Sequence, residues 1–248
     1  MDQELIYPKQ DNLDYFYSMR LFTMSLYELG EIIGSATSEQ RQNFAKLTGS
    51  AFGSSPETLC NHICYLRSGA FGQLFCNTTW KQIATDVADH AHINWTETLD
   101  GRRWKDLKTD EIENAVVTKV FQDMFNKLTQ EQKEQFILSM DRNSDDPNLQ
   151  TFLLTGGAMT AAKVSGFGVY LMASTVLGGL TNALGITLPF AIYMGMSQVI
   201  ALILGPVGWL TLFGGLAFTL NQPNWHRLTL AVIYTSIIRH ELAKSIES

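Results

Sequence analysis

Apolar residues recur every three or four positions through most of the first 163 residues, the spacing expected of helices with one apolar face. The clearest example is the predicted helix over residues 110–128, for which Thr109 is the predicted N-cap. Its apolar face is formed by Ile112, Val116, Val120, Phe121, Met124 and Leu128. Because the alternation typical of strands is hard to find, the sequence predicts an all-α helical bundle.

The same spacing and the residues at helix ends predict further helices over residues 13–33, 57–67, 74–90 and 225–246. Two capping boxes mark helix starts, one at Thr37 with Gln40 and one at Thr129 with Gln132. The last helix is predicted to be amphipathic. Its apolar side is made of Leu228, Ala231, Val232, Thr235, Ile238 and Leu242.

A run of 63 residues between Lys163 and Arg227 contains no acidic or basic side chain, and its one histidine is His226. Glycines and prolines divide the run into three pieces, residues 164–184, 186–204 and 207–220. The middle piece would measure about 28 Å as a helix, close to the roughly 30 Å hydrocarbon core of a bilayer. We therefore predict a glycine-rich hydrophobic helical hairpin near the C-terminus that can hide in protein and also enter lipid.

Particular residues of this run are predicted to meet lipid. The predicted membrane-inserting residues are Ile186, Phe190, Tyr193, Ile200, Leu204, Trp209, Phe213 and Phe218. The predicted hairpin turn contains Gly205, Pro206 and Gly208. Two further aromatic residues, Tyr170 and Trp225, fit either anchoring at the membrane interface or packing in a core.

Charge is concentrated outside the apolar run. Residues 1–163 contain 15 Lys or Arg and 22 Asp or Glu, a net charge of −7. Such an acidic region disfavours nucleic acid as a partner, because binding to phosphates requires basic groups. The polar stretch 141–149 is the best boundary, so we predict an acidic amphipathic helical region over 1–148. The apolar hairpin and the C-terminal amphipathic helix then occupy 149–248.

The expected compartment follows from the N-terminus and the cysteines. Early acidic residues and the lack of an apolar core argue against a secretory signal. The three cysteines, Cys60, Cys64 and Cys76, fit a reducing compartment, in which we expect buried thiols. The prediction is a cytoplasmic protein that can associate with the inner membrane.

Two clusters contain the residue types of a metal or proton-transfer site. Asp86 and His90 are i, i+4 neighbours with His92 nearby, but a histidine at a helix C-terminus also favours the helix dipole. Cys60 and Cys64 lie near His62, without an evident fourth ligand. Motifs of NTPases, kinases, serine hydrolases and metalloproteases do not occur. We predict no catalytic residue, no metal site and no cofactor.

Two stretches, Phe52–Trp95 and Asp110–Phe136, resemble the YaaW-like family of uncharacterised bacterial proteins. The matching elements are Phe52-Gly53, Asn61, Leu66-Arg67, Gly69, Asp86-Val87, Glu111-Ile112-Glu113, the helix start over 128–136 and the GPVGW run over 205–209. The resemblance covers most of residues 40–240. Part of the family is similar to mitochondrial ubiquinol–cytochrome c assembly chaperones, which are helical and sit at membranes. The resemblance implies no catalytic residues.

Three functions are weighed on this basis. The first is a membrane-active helical protein of the pore-forming or toxin and defence-effector type, whose soluble form shields the apolar hairpin and whose partner is the lipid bilayer. The second is a soluble helical scaffold or chaperone-like adaptor, with the apolar run as core or as the interface of a homo-oligomer or protein partner. The third, an enzyme, is disfavoured because no catalytic constellation is evident.

Overall fold

The computed structural model describes residues 26–73, 76–95, 102–134, 167–183 and 223–247. The predicted all-α fold is confirmed, and these residues form helices joined by turns, without a strand. The helices are α1 (Tyr27–Ser35), α2 (Ser38–Thr48), α3 (Pro56–Gln73), α4 (Trp80–His90), α5 (Thr109–Asn126), α6 (Phe167–Ala183) and α7 (Trp225–Glu247). A short 3-10 turn covers Trp104–Asp106, and a further helix begins at Gln130.

The last helix, α7, is the centre of the fold. It contacts each of α1 to α6. Its predicted apolar side is buried except at Leu242, which is partly buried. Residues on its other sides are buried as well, among them Leu230, Ile233, Tyr234 and Ile237, at 1% exposure or less. The apolar surface therefore extends around the helix from Leu228 to Ile238, further than the one-sided pattern predicted. Fully burying a large aliphatic side chain stabilises a fold by about 1.5–3 kcal/mol, so α7 is a main source of stability.

The first part of the uncharged run belongs to the same hydrophobic core. In α6, the residues Val169, Met172, Ala173 and Val176 are at most 4% exposed and pack where α6 meets α5 and α7. The predicted division at residues 148 and 149 lies outside the described residues. Elements from both sides of it nevertheless share one core.

Short-range hydrogen bonds at helix ends follow the two predicted capping boxes. The backbone N–H of Gln40 donates to the Thr37 hydroxyl at 3.2 Å, and the Thr37 N–H donates to the Gln40 side chain at 2.7 Å. The equivalent pair of bonds joins Thr129 and Gln132 at 2.9 and 3.2 Å. Both boxes are confirmed, because this chemistry is complete within four residues.

Two predicted helix starts are wrong. Thr109 is the first residue of α5 and not its N-cap; Lys108 holds that position, and its N–H donates to the Glu111 carboxylate at 2.8 Å. Helix α4 begins at Trp80, six residues after the predicted start, because the Thr79 hydroxyl accepts the Gln82 N–H at 3.1 Å. The hydroxyl cap satisfies a free N–H at this point and sets the helix boundary.

The prediction of three buried thiols is also wrong. Cys64 and Cys76 form a disulfide, with their Cα atoms 5.9 Å apart, and only Cys60 keeps a free thiol. Helix α3 is kinked at Gly69, which has a φ of +72° that other residues rarely adopt. The kink lies between the two cysteines and redirects the chain. Helical spacing along the sequence could therefore not predict that Cys64 and Cys76 lie close together.

Candidate functional site

The residues predicted to meet lipid lie outside the described residues. They are Ile186, Phe190, Tyr193, Ile200, Leu204, Trp209, Phe213 and Phe218, with the turn residues Gly205, Pro206 and Gly208. Within the described ranges, no helix combines the length and the apolarity needed to cross a membrane. The structure does describe both flanks of the 184–222 segment, α6 before it and α7 after it. The candidate site consists of the contacts that hold these two helices.

The start of α7 is held by hydrogen bonds to neighbouring helices. Asn224 caps the helix, because its side-chain oxygen accepts the Arg227 N–H at 3.2 Å. Its own N–H donates to the Leu66 carbonyl of α3 at 2.8 Å. The chain leaving the apolar segment is thus fixed to α3 at the residue where α7 begins. We call residues 224–227, together with the side chains that hold them, the α7 junction.

Trp225 lies between two cationic or titratable side chains of the α7 junction. The His90 imidazole stacks on its ring, with centroids 4.6 Å apart and planes 13° apart. The Arg67 guanidinium carbon lies 5.8 Å from the ring centroid, within range of a cation–π interaction. Arg67 also pairs with Asp86 at 2.7 Å. Trp225, predicted as membrane anchor or core, therefore packs at the edge of the core.

Asp86 and His90, the candidate metal or proton-transfer pair, each have another partner in the structure. The Asp86 carboxylate accepts from Arg67 and, at 3.0 Å, from the Gln82 amide, while His90 faces Trp225. Among the residues that the structure describes, no three His, Cys, Asp or Glu side chains are placed to hold a metal ion. His90 is the last residue of α4, the helix C-terminus that was the alternative for it from sequence, and Asp86 is paired with Arg67.

A second set of contacts in the α7 junction converges on one carbonyl. The Thr48 carbonyl at the end of α2 accepts from Arg227 Nη1 at 3.0 Å and from His62 Nε2 at 2.9 Å. Gly49 follows in a left-handed conformation with φ +72°, and a Cβ placed there would lie 2.0 Å from Arg227 Nη1. The sequence therefore needs glycine here both for the backbone and for the approach of the arginine.

The histidines of the α7 junction favour their neutral forms. Burial lowers the pKa of His90, and the neighbouring His92 lowers it further. Burial likewise lowers the pKa of His62 and of His226, with Arg227 adding to both shifts, although the Thr48 hydrogen bond partly opposes the shift of His62. His226 Nε2 is buried and has no hydrogen-bond partner among the described residues. Protonation of these side chains is therefore unfavourable in the folded protein.

The other end of α7 is anchored by a buried charge network. Glu113 of α5 has no exposed side-chain surface, and it accepts from Trp80 Nε1 at 2.6 Å and from Arg239 Nε at 2.8 Å. Arg239 also pairs with Glu28 of α1 at 2.5 Å. Glu28 in turn accepts from the Thr109 hydroxyl at 2.9 Å. The network joins α1, α4, α5 and α7 through directional contacts.

Burial raises the pKa of Glu113 to about 7, against the opposing effects of Arg239 and Trp80. The sequence interpretation named Glu113 within the Glu111-Ile112-Glu113 element, but it did not predict the buried network that joins Glu113 to Arg239 and Glu28. A signal was present, since Glu113 stands three residues before Val116 on the buried part of α5. A carboxylate in that position requires a partner, but the partner is 126 residues away in the chain.

A cleft of about 500 Å³ opens beside this network, where α5, α6 and α7 meet. Several of its polar side chains bond one another. Ser236 donates to Asn114 at 3.1 Å, and Tyr170 donates to Glu241 near the rim at 3.1 Å. Tyr170, predicted as membrane anchor or core, is thus a partly buried residue of this cleft. Polar groups paired in this way stabilise a helix junction.

The free thiol is not placed for chemistry. Burial raises the pKa of Cys60 to about 12, so its thiolate is scarcely formed at neutral pH. Its sulfur faces α1, 3.9 Å from the position that a Cβ on Gly30 would take. Cys64 is bonded to Cys76, and His62 binds the Thr48 carbonyl. Cys60, His62 and Cys64, the candidate cluster, therefore each have a different structural partner.

Comparisons with known proteins identify no relative. No protein-family model matches the chain, and neither a curated protein nor a solved structure does. The resemblance to the YaaW-like family therefore stays a prediction, and the all-α fold, the α7 junction and the Glu113 network rest on the structure itself.

Proposed function

We propose that this protein is a membrane-active helical protein, of the pore-forming or effector type, and not an enzyme. Its helical body holds the apolar segment 184–222 in a soluble form and allows that segment to associate with or insert into a bilayer. One observation carries the proposal: 39 consecutive uncharged residues connect two helices that are themselves held in the core by specific contacts.

The anchoring of the two flanking helices supports a helical body that stays folded and an apolar segment that enters lipid. Helix α6 packs against α5 and α7, and the far half of α7 is tied to α1 and α5 through Arg239. A body attached at both ends of an apolar segment can keep its own fold while that segment changes its surroundings. The Leu, Ile, Phe and Val residues of its middle piece, 186–204, contribute about −3 to −5 kcal/mol to transfer into lipid. The polar residues, proline and glycine of that piece oppose transfer, so the balance is near zero to mildly favourable.

Flotation with lipid vesicles and release of a trapped dye test the proposal. We expect the wild-type protein to float with vesicles and to release dye. Replacing Ile200→Lys should weaken vesicle binding by roughly a hundredfold, because a lysine at the centre of a bilayer costs about 3 kcal/mol relative to isoleucine. The matched control is Gln42→Lys, which adds the same charge at an exposed position of α2.

Two results would contradict the membrane proposal. One is wild-type protein that stays in the aqueous fraction at every pH and lipid composition. The other is equal binding by Ile200→Lys and Gln42→Lys, because vesicle binding would then not depend on the apolar segment.

The second candidate is a helical scaffold or adaptor that uses the segment as core or as an oligomer interface. The burial of Val169, Met172 and Ala173 favours it, since part of the uncharged run already serves the protein's own core. Light scattering without detergent separates the two candidates. A single species without detergent, whose segment 184–222 resists hydrogen exchange in solution and which does not float with vesicles, supports the scaffold and contradicts the membrane role.

A further inference from the structure

Three of the protein's five histidines surround the first turn of α7. His226 belongs to that turn, His90 stacks on Trp225, and His62 shares the Thr48 carbonyl with Arg227. They come from α3, α4 and α7, so the fold brings them together from separate parts of the chain. This cluster lies directly after the apolar segment 184–222.

The α7 junction is already rich in positive charge. Helix α3 contributes Arg67, α7 contributes Arg227, and Asp86 of α4 is paired with Arg67. The start of a 23-residue helix adds the positive end of its dipole. Other charged or titratable groups close by are Tyr65, whose ring stacks on His62, Asp89, which accepts from Trp95, His92 beside His90, and the exposed Lys46 near the end of α2.

We propose that the α7 junction is an acid-sensitive lock on the apolar segment, in which protonation of His62, His90 and His226 separates residues 224–227 from α2, α3 and α4. This inference rests on the proposed membrane function, for which it supplies the trigger. Protonation would place three more cations beside Arg67 and Arg227.

The direction of the effect agrees with the environment of the histidines. Their pKa values are lowered in the fold, so their neutral forms contribute stability above the unfolded value of 6.5. That stability is lost as the pH falls below 6.5 and through the lowered folded values. The junction therefore weakens on acidification.

The far half of α7 responds in the opposite direction. Glu113 carries a raised pKa, so acidification neutralises a buried carboxylate and favours the fold around Arg239. Thirteen residues separate His226 from Arg239, or about 20 Å of helix. Acid therefore loosens the end of α7 that adjoins the apolar segment while the other end stays attached.

Hydrogen exchange of the full chain without lipid tests the lock, at pH 7.5 and pH 5.5 and after correction for the intrinsic exchange rates. We expect exchange over residues 225–231 to rise at pH 5.5, by up to about tenfold for each histidine, since pH 5.5 lies one unit below the unfolded pKa of 6.5. Exchange over 233–242 should not rise. Equal protection of 225–231 at both pH values would overturn the proposal.

Substitution assigns the effect to the cluster. The triple variant His62→Gln, His90→Gln and His226→Gln should show the same protection of residues 225–231 at both pH values. The control His240→Gln, near the other end of α7, should keep the wild-type response. Loss of the response in the control, or its survival in the triple variant, contradicts the assignment.

Nuclear magnetic resonance of the wild-type histidines makes the test independent of whether the triple variant folds. The signals of His62, His90 and His226 should titrate below pH 6.5, at the same midpoint as the rise in exchange. A midpoint of opening outside the range in which these three titrate would overturn the lock.

Flotation with phosphatidylcholine vesicles at the same two pH values separates the lock from the membrane function. Opening of residues 225–231 at pH 5.5, in a protein that floats at no pH and with no lipid composition, supports the lock and contradicts the membrane proposal. Flotation at pH 5.5 with residues 225–231 still protected contradicts the lock and leaves the membrane proposal standing.

Discussion

Glu113 is the residue on which the anchoring of α7 depends most directly. Its stability contribution is greatest below pH 4.5, because its pKa is raised from 4.5 to about 7 in the fold, and it is lost as the pH rises through about 7. The variant Glu113→Gln removes this titration. Relative to wild type, its free energy of unfolding should therefore increase between pH 5 and pH 8, by at most about 3 kcal/mol. Chemical denaturation at a series of pH values measures this difference.

The matched control for that experiment lies on the same helix. Glu111 is partly exposed, and its hydrogen bond with the Lys108 N–H lowers its pKa, so it is ionised throughout this pH range. Glu111→Gln should shift stability by the same amount at pH 5 and pH 8. A pH-independent difference between Glu113→Gln and wild type would show that Glu113 does not titrate in this range.

Gly49 is the second residue whose identity the structure explains. Substitution to alanine strains a backbone at φ +72° and displaces the Arg227 guanidinium from the Thr48 carbonyl. We expect Gly49→Ala to lower the free energy of unfolding by about 2 kcal/mol. Gly34→Ala is the control, since nothing lies within 4 Å of its Cβ position in α1 and alanine favours a helix by up to about 1 kcal/mol. Similar losses in both variants would contradict this account.

Among the helices, α7 should be the one in which shortening a buried side chain lowers the free energy of unfolding most. Ile233 has no exposed surface, whereas Ile246 of the same helix is 85% exposed. Ile233→Ala should cost about 2–5 kcal/mol of unfolding free energy, and Ile246→Ala less than about 0.5 kcal/mol. Thermal and urea denaturation compare the two changes, which are chemically identical. Equal effects would mean that α7 is not the centre of the core.

The disulfide between α3 and the segment before α4 gives a second prediction at this scale. In unreduced protein under denaturing conditions, iodoacetamide should label Cys60 alone, and after reduction it should label all three cysteines. The double variant Cys64→Ser and Cys76→Ser should lose about 3 kcal/mol, the amount expected for closing a loop of this size. Three labels without reductant would show that the protein carries free thiols, as the sequence interpretation expected.

Local signals predicted some elements well and others poorly. The capping boxes at Thr37 and Thr129 were predictable because donor and acceptor are three residues apart. The start of α4 was missed because apolar residues before Thr79 continue a helix-like spacing, while the hydroxyl cap sets the boundary. The disulfide was missed because it depends on the kink at Gly69, which composition does not reveal.

For the whole molecule, the uneven charge predicts how lipid composition affects binding. Residues 1–163 carry a net charge of −7, so at pH 7.5 and low salt we expect the residual flotation of the closed protein to be weaker with anionic than with neutral vesicles. Added salt should reduce the difference by screening, because the Debye length falls to about 8 Å at 0.15 M. Stronger flotation with anionic vesicles at pH 7.5 would contradict this electrostatic account.

The core and the site could be predicted from sequence only in part. The all-α class followed from periodicity, but the partners of Glu113 did not, because Trp80 and Arg239 lie 33 and 126 residues away in the chain. The grouping of His62, His90 and His226 likewise requires the packing of three helices around Trp225. The spacing of residues along a chain predicts contacts between residues three or four positions apart. The Glu113 network and the α7 junction are instead made of contacts between distant segments.

The position of α7 in the order of synthesis has a consequence for the newborn chain. Helices α1 to α5 leave the ribosome before the helix that contacts each of them, so their apolar faces have no complete core to join at that stage. The uncharged segment 184–222 also emerges ahead of α7. At roughly 5–20 residues per second, several seconds separate the appearance of α5 from that of α7. During this interval the uncharged segment 184–222 is accessible to chaperones and to any nearby bilayer. Helix α7 is not yet present to bury the apolar surfaces of the earlier helices.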